Sequence, residues 1–268
     1  MLKLLKLEFS KFKKSTVVIM LSTMFLVFFP FSLAVGKIFD NFRTGLPTSD
    51  AFFQFTTIWE YLGYAGNWMV FFFLGVVMIY MVTLEVTHKT MRQSIIAGLS
   101  RNEFFLSKLY IALFISILAT IYYTIIALTI GFINTPNPTI ELAITNEWAI
   151  PRFFLMSFGY MTFAMMVGFI VRSSGLAVFL YLSFVLMIEK LIRYGHMELI
   201  GNKFTKFYPM KSIGDLMPLP LLKMADYIKT KDFDFSLLLS YKTASILSII
   251  FILMFVGLSY ISFTKRDL

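Results

Sequence analysis

Cysteine is absent from the 268 residues, which removes disulfides, thiolate nucleophiles and cysteine-ligated metal centres. Charge is scarce as well. Asp, Glu, Lys and Arg make up 15% of the chain, against about a quarter in soluble globular domains. Histidine occurs only at His88 and His196, and no His-x-x-x-Asp, His-Glu-x-x-His or Gly-x-Gly-Asp constellation is present. The nucleophile–base or metal–base pairing that a membrane-embedded enzyme needs is therefore missing. A phosphate-cradling Gly-x4-Gly-Lys-Ser/Thr loop is missing too, since Gly36-Lys37 lacks the upstream glycine and the following hydroxyl. The chain is not expected to be an enzyme, and no internal repeat or low-complexity tract divides it.

What is present is apolar surface: 58% hydrophobic residues, 18% aromatic, and a mean hydropathy of +0.79. A chain of this composition cannot coat a water-soluble globule. A bilayer core about 30 Å thick is crossed by about 20 helical residues. Six runs nearly free of charge meet that need, at about 16–36, 68–84, 109–133, 153–171, 176–192 and 243–264. The fifth is the least regular, because Glu189 and Lys190 interrupt it and are expected near the membrane interface. The expected fold is all-α, a single polytopic membrane domain over residues 1–268.

The first run follows Lys3, Lys6, Lys11, Lys13 and Lys14, but it exceeds a signal-peptide core and no small-x-small site follows, so it is expected to remain as a span. The net charge of +9 comes from cations flanking apolar runs, where they meet head groups rather than nucleic acid. Counted over all loops, Lys and Arg divide equally between the two sides. The Lys-rich flank of the first span then places both termini in the cytosol, because the first span usually dominates.

Three connecting pieces carry further pattern. Leu2, Leu5, Phe9 and Phe12 share one helical face, with Lys3, Lys11 and Lys14 opposite, which predicts an interfacial helix over 1–14. Residues 85–108 read as helix, break, helix. Glu85, Lys89 and Arg92 share a face, Glu85 and Lys89 being spaced as a favourable i,i+4 pair, and Ile95, Ile96 and Leu99 form an apolar patch. Gly98 stands where a helix ends left-handed, and Ser100 with Glu103 forms a capping box that starts the third span. A short amphipathic helix over about 87–97 is thus expected to lie across the membrane surface, shaped to dock on a soluble partner. Between the fifth and sixth runs, some 50 residues with Pro209, Pro218 and Pro220 are expected to form a structured outer segment of short surface helices.

The order Glu85, Thr90, Arg92, Ser100-Arg101 and Lys108 resembles the first cytosolic loop of type-two ATP-binding-cassette (ABC) exporter permeases. The N-terminal amphipathic piece looks like that family's elbow helix, residues 172–175 like its second cytosolic loop, and Lys265-Arg266-Asp267-Leu268 like its basic-acidic tail. The sequence departs from the usual pattern at Lys89, where glycine is frequent, and at Gly98-Leu99, where proline is frequent.

The resemblance implies a permease subunit with no cofactor of its own, ATP and Mg being held by a pair of separate cytosolic ATPase subunits. It also implies a second permease half, in a homodimer or heterodimer, in a cell membrane of bacterial inner-membrane type. The 87–97 helix becomes a coupling helix, with polar contacts from Arg92 and Arg101, joined by Glu85, Lys89 and Thr90, and an apolar anchor from Ile95, Ile96 and Leu99. Spans lacking deep charge and rich in Phe and Met, such as Phe158, Met161, Met165 and Met166 in the fourth, suit export of an amphipathic or hydrophobic substrate: a peptide, an antimicrobial or a lipid-like molecule. The alternative to this reading is an ATP-independent secondary transporter or channel, which ordinarily carries ionisable residues deep in its spans.

Overall fold

The computed structural model describes residues 2–40, 50–87, 90–96, 98–201, 204–220 and 238–265, the side chains of residues 2, 33–40, 50, 51 and 92 excepted. Among the described residues all regular structure is helical, as the apolar runs require: a lipid core offers no water to an open backbone, and a helix satisfies its own amides. Helix α1 (Leu2–Phe12) meets α2 (Thr16–Asp40) at a bend of 99°. After α3 (Asp50–Phe53) come the long α4 (Thr57–Thr87), the short α5 (Thr90–Ile96) and α6 (Arg101–Asn134). Then α7 (Ile140–Ile144) leads into α8 (Ala149–Val171), and α9 (Ser174–Ile200) follows at once. Last are α10 (Pro209–Gly214) and α11 (Tyr241–Thr264). Among the described residues five helical stretches are long and apolar enough to cross a membrane, or six if the bent α1–α2 pair counts as one span.

Alternating helix direction sorts the connections onto two faces. On the terminal face lie α1, α5, the start of α6, the α8–α9 turn and the end of α11. There Arg101 donates to the carbonyl of Thr264 at 3.3 Å, and Thr83 hydrogen-bonds Ser174 at 2.7 Å. The turn itself is tight because Arg172 adopts a left-handed conformation, φ 59°, and ends α8. The distal face carries α3, α7 and α10. It is knitted by Arg152, which donates to Trp148 and Asn146 and lies 3.6 Å from the Tyr241 ring, while Tyr241 donates to Glu60 at 2.9 Å.

Helix α8 is the centre of the bundle and packs on α4, α6 and α11. Its Phe153 stacks on Tyr123 with centroids 4.2 Å apart; the Tyr123 hydroxyl donates to the Trp59 carbonyl at 2.6 Å, and the Trp59 indole donates to Ala143 at 3.1 Å. The polar tips of Tyr123 and Trp59 thus both find partners inside the apolar core.

Several helices run beyond the apolar runs that announce them. The second span begins at Thr57 rather than 68, because Ile58, Trp59, Leu62 and Gly66 bury one face through a stretch diluted by Glu60, Tyr61, Tyr64 and Asn67. Helix α9 passes through Glu189 without ending. That carboxylate is buried within the protein, and it accepts the backbone N–H groups of Met210 and Lys211, both at 2.7 Å. Helix α10 packs against the bundle on the distal face: Met210, Ser212 and Ile213 are buried, and Leu216 and Met217 follow them. Two π-turns, Val70–Leu74 in α4 and Phe184–Ile188 in α9, interrupt the α-helical bonding of neighbouring spans.

Candidate functional site

Where α1 crosses the terminal face, it presents Leu5, Glu8 and Phe12 inward. Leu5 and Phe12 are the expected apolar face; Glu8 between them is an acid on that face. Opposite stand Glu85, two residues from the end of α4, and Lys108 in the second turn of α6. Glu8 and Lys108 are fully enclosed and Glu85 is 3% exposed. Removing an ion from water costs several kcal/mol unless it is paired, and each of these is. Lys108 reaches Glu8 at 2.5 Å and contacts Glu85 directly, while Lys11 reaches Glu85 at 3.0 Å and Glu8 at 3.6 Å. Ser107 donates to Glu8 at 2.9 Å, and the Phe12 and Phe104 rings lie 5.0 and 5.3 Å from the Lys108 ammonium. Two cations and two anions leave the cluster formally neutral, and it staples α1, α4 and α6 together.

The short helix hangs from this cluster. The Thr90 hydroxyl, at the first residue of α5, donates to the Glu85 carbonyl at 3.3 Å. At the other end Gly98, φ 102°, donates to Ile95 at 3.0 Å and Leu99 donates to Ser94 at 3.1 Å, the paired bonds of a left-handed glycine cap. Ser100 and Glu103 then form both halves of the capping box that opens α6. Helix α5 spans Thr90–Ile96; of the expected 87–97, Thr87 belongs to α4, and residues 88, 89 and 97 lie outside the described residues.

Of the residues assigned to this loop, Glu85 turns into the molecule, and its partners are Lys11 and Lys108. Lys89 lies outside the described residues, as does the side chain of Arg92. Ile96 stands out at 85% exposed, while Ile95 and Leu99 are half-buried against the chain's own core and Met91 is buried entirely. Arg101 is exposed at the start of α6 and ties to the end of α11. The four residues singled out in the fourth span separate similarly. Met161 and Met165 are fully buried, Met161 sulfur accepting from Ser116 at 3.3 Å, whereas Phe158 and Met166 are half-buried.

Glu8, Lys11 and the structural role of Lys108 do not follow from loop pattern alone. The available signal is Glu8 itself, an acid spaced three and four residues from Leu5 and Phe12 on the apolar face of a helix otherwise supplied with lysines. Among the described residues no cluster of His, Asp or Glu could hold a metal ion.

A family model described as ABC-2 family transporter protein matches residues 4–190, from α1 through the span that carries Glu189. A search of curated proteins finds no match. The matched region contains the whole charge cluster, α5 and its caps. With the helical, multi-span architecture, the chain belongs to the ABC-2 transporter family, as a membrane-embedded permease and a component of transport rather than a catalyst.

Proposed function

We propose that this permease is one half of an exporter driven by a separate cytosolic ATPase, and that α5 is the element the ATPase grips. The observation that carries the reading is the join between α5 and the buried cluster. A seven-residue helix, capped at its far end, displays Ile96 outward and is bonded through Thr90 to the backbone of Glu85, whose carboxylate holds α1 and α6. Force on α5 therefore bears on three helices at once instead of dissipating in a flexible loop.

ATP and Mg act on the partner subunits. Closure of the ATPase pair favours one arrangement of the spans over another to the extent that nucleotide binds one state more tightly. A second permease half, identical or similar, completes the path. Both termini lie in the cytosol of a cell whose inner membrane holds the complex; a shared terminal face for α1 and the end of α11 supports placing the ends together. The cargo is an amphipathic or hydrophobic molecule, peptide, antimicrobial or lipid-like, moved outward along spans rich in Phe and Met.

Affinity purification of the native complex should bring down an ATPase of cassette size. Arg92→Glu, which inverts a charge on α5, is expected to reduce transport at least about tenfold, since like-charge juxtaposition at an interface costs several kcal/mol and about 1.4 kcal/mol is already tenfold, while membrane insertion is retained. Normal ATPase association and transport in that variant would count against α5 as the docking element.

A further inference from the structure

Away from the charge cluster, the distal half of the bundle holds a cavity of about 380 Å³ between α4, α8, α9 and α10. Both π-turns border it, through Phe71 on one side and Val185 and Leu186 on the other. Such turns sacrifice regular helical bonding and recur at functional positions. Trp68, Phe71 and Tyr160 make an aromatic wall. Asn67, at the same wall, has its amide oxygen buried with no partner among the described residues, an acceptor awaiting a donor.

The mouth is charged, and its charges are unequally committed. Glu189 is occupied by the two N–H groups of α10, and Asp215 by Lys211 and by the Leu239 N–H at 3.2 Å. Two cations complete the mouth. Among the described residues Lys190 faces the Trp68 ring at 6.0 Å, and Arg193 donates its Nε to the Thr205 carbonyl at 2.9 Å while its charge also acts on Glu189 and Asp215. Measured along α9 from Ser174, Lys190 and Arg193 lie about 24 and about 28 Å from the terminal face, level with the far head groups of a core about 30 Å thick. Because Thr83 is level with Ser174, Asn67 lies on the same scale about 24 Å from the terminal face, at the depth of Lys190. Cations and a polar acceptor at head-group depth, with aromatic walls beneath them, match one kind of molecule.

We propose that this cavity binds an anionic amphiphile, its acidic head at Lys190 and Arg193 and its apolar body along Trp68, Phe71 and Tyr160, with a hydroxyl or amide donor reaching Asn67. A lipid of the distal leaflet and an exported cargo of the same chemistry meet the same groups. Its assignment as cargo rests on the export reading above, whereas binding itself does not.

The test uses the full chain in phosphatidylcholine nanodiscs, titrated with dibrominated phosphatidylglycerol or dibrominated phosphatidylcholine. Quenching of Trp68 is read as the difference between wild type and Trp68→Phe. The anionic lipid should quench at a roughly five-fold lower mole fraction, the ratio that one cation–anion contact at a head-group surface supplies. Lys190→Gln should narrow that gap and Lys190→Gln with Arg193→Gln should close it, size exclusion showing both variants folded. Equal quenching by the two lipids in wild type, or a preference unchanged in both variants, overturns the proposal. So does displacement by inorganic phosphate alone, which identifies an ion site. Adding the ATPase partner with ATP separates the sources: quenching lost on nucleotide addition marks a cargo, and quenching that persists marks a resident lipid. A permease without an ATPase partner would still show the lipid preference, so failure of the export reading leaves this test intact.

Discussion

Lys108→Met is expected to prevent accumulation of folded permease. The substitution leaves Glu8 and Glu85 facing one another in an enclosed site, with Lys11 as the remaining cation and itself partly exposed. Breaking a buried ion pair from one side costs about 3–5 kcal/mol, because the surviving ion is left uncompensated, and here one lysine serves two carboxylates. That loss is comparable with the whole stability of a small domain. The measurement is the monodisperse fraction and thermal midpoint of detergent-solubilised protein. Since neutral groups need no counter-ion, Glu8→Gln/Glu85→Gln/Lys108→Met together should restore most of the folded material. If Lys108→Met alone is as stable as wild type, the cluster does not hold the three helices. If the triple variant folds and still transports at the wild-type rate, the cluster is structural only and plays no part in coupling α5 to the spans.

Gly66→Leu is expected to be comparably damaging for a steric reason. A Cβ at Gly66 would lie 2.5 Å from the Phe153 ring and 2.8 Å from the Phe29 ring, and both phenylalanines are fully buried. Phe153 cannot swing aside because it stacks on Tyr123. Overpacking a filled core costs about 1–3 kcal/mol for a modest insertion, so Gly66→Ala should lower the thermal midpoint and Gly66→Leu should yield little folded protein. Gly257→Leu is the matched control, on a helix position with open space around it, and should behave as wild type. Equal midpoints for Gly66→Leu and Gly257→Leu would show that α4 and α8 separate without penalty. Small residues at such crossings are the usual means of close helix approach in membranes, where burial from water contributes little between helices.

Both sites were only partly visible beforehand, for reasons that differ residue by residue. The Gly98 cap and the Ser100–Glu103 box are local: every partner lies within a few residues, so composition and spacing suffice to announce them. Gly66 carries no such mark, because what makes it necessary is Phe29 and Phe153, each far off in sequence. Glu85 was readable as a helical residue four positions before Lys89, yet its partners are Lys11 and Lys108, 74 and 23 residues away. A surface pair and a buried cluster look alike until the helices are brought together. Glu189 teaches the same lesson in reverse. Its charge, read from the sequence, calls for water or head groups as solvent, but N–H groups from α10 supply that solvation within the protein.

The apolar solvent, the helices and the punctuation between spans are legible in the amino-acid order. These follow from hydropathy summed over about 20 residues and from caps closed by near neighbours, and both are properties of a short stretch of chain. Tertiary structure alone decided where charge could be buried, how far α4 and α9 continue past their apolar runs, and that α10 folds inward. Each of those outcomes depends on a polar group or a ring contributed from a distant helix, and the free energy of burying an ion or closing a gap is set by that partner rather than by the neighbours in sequence.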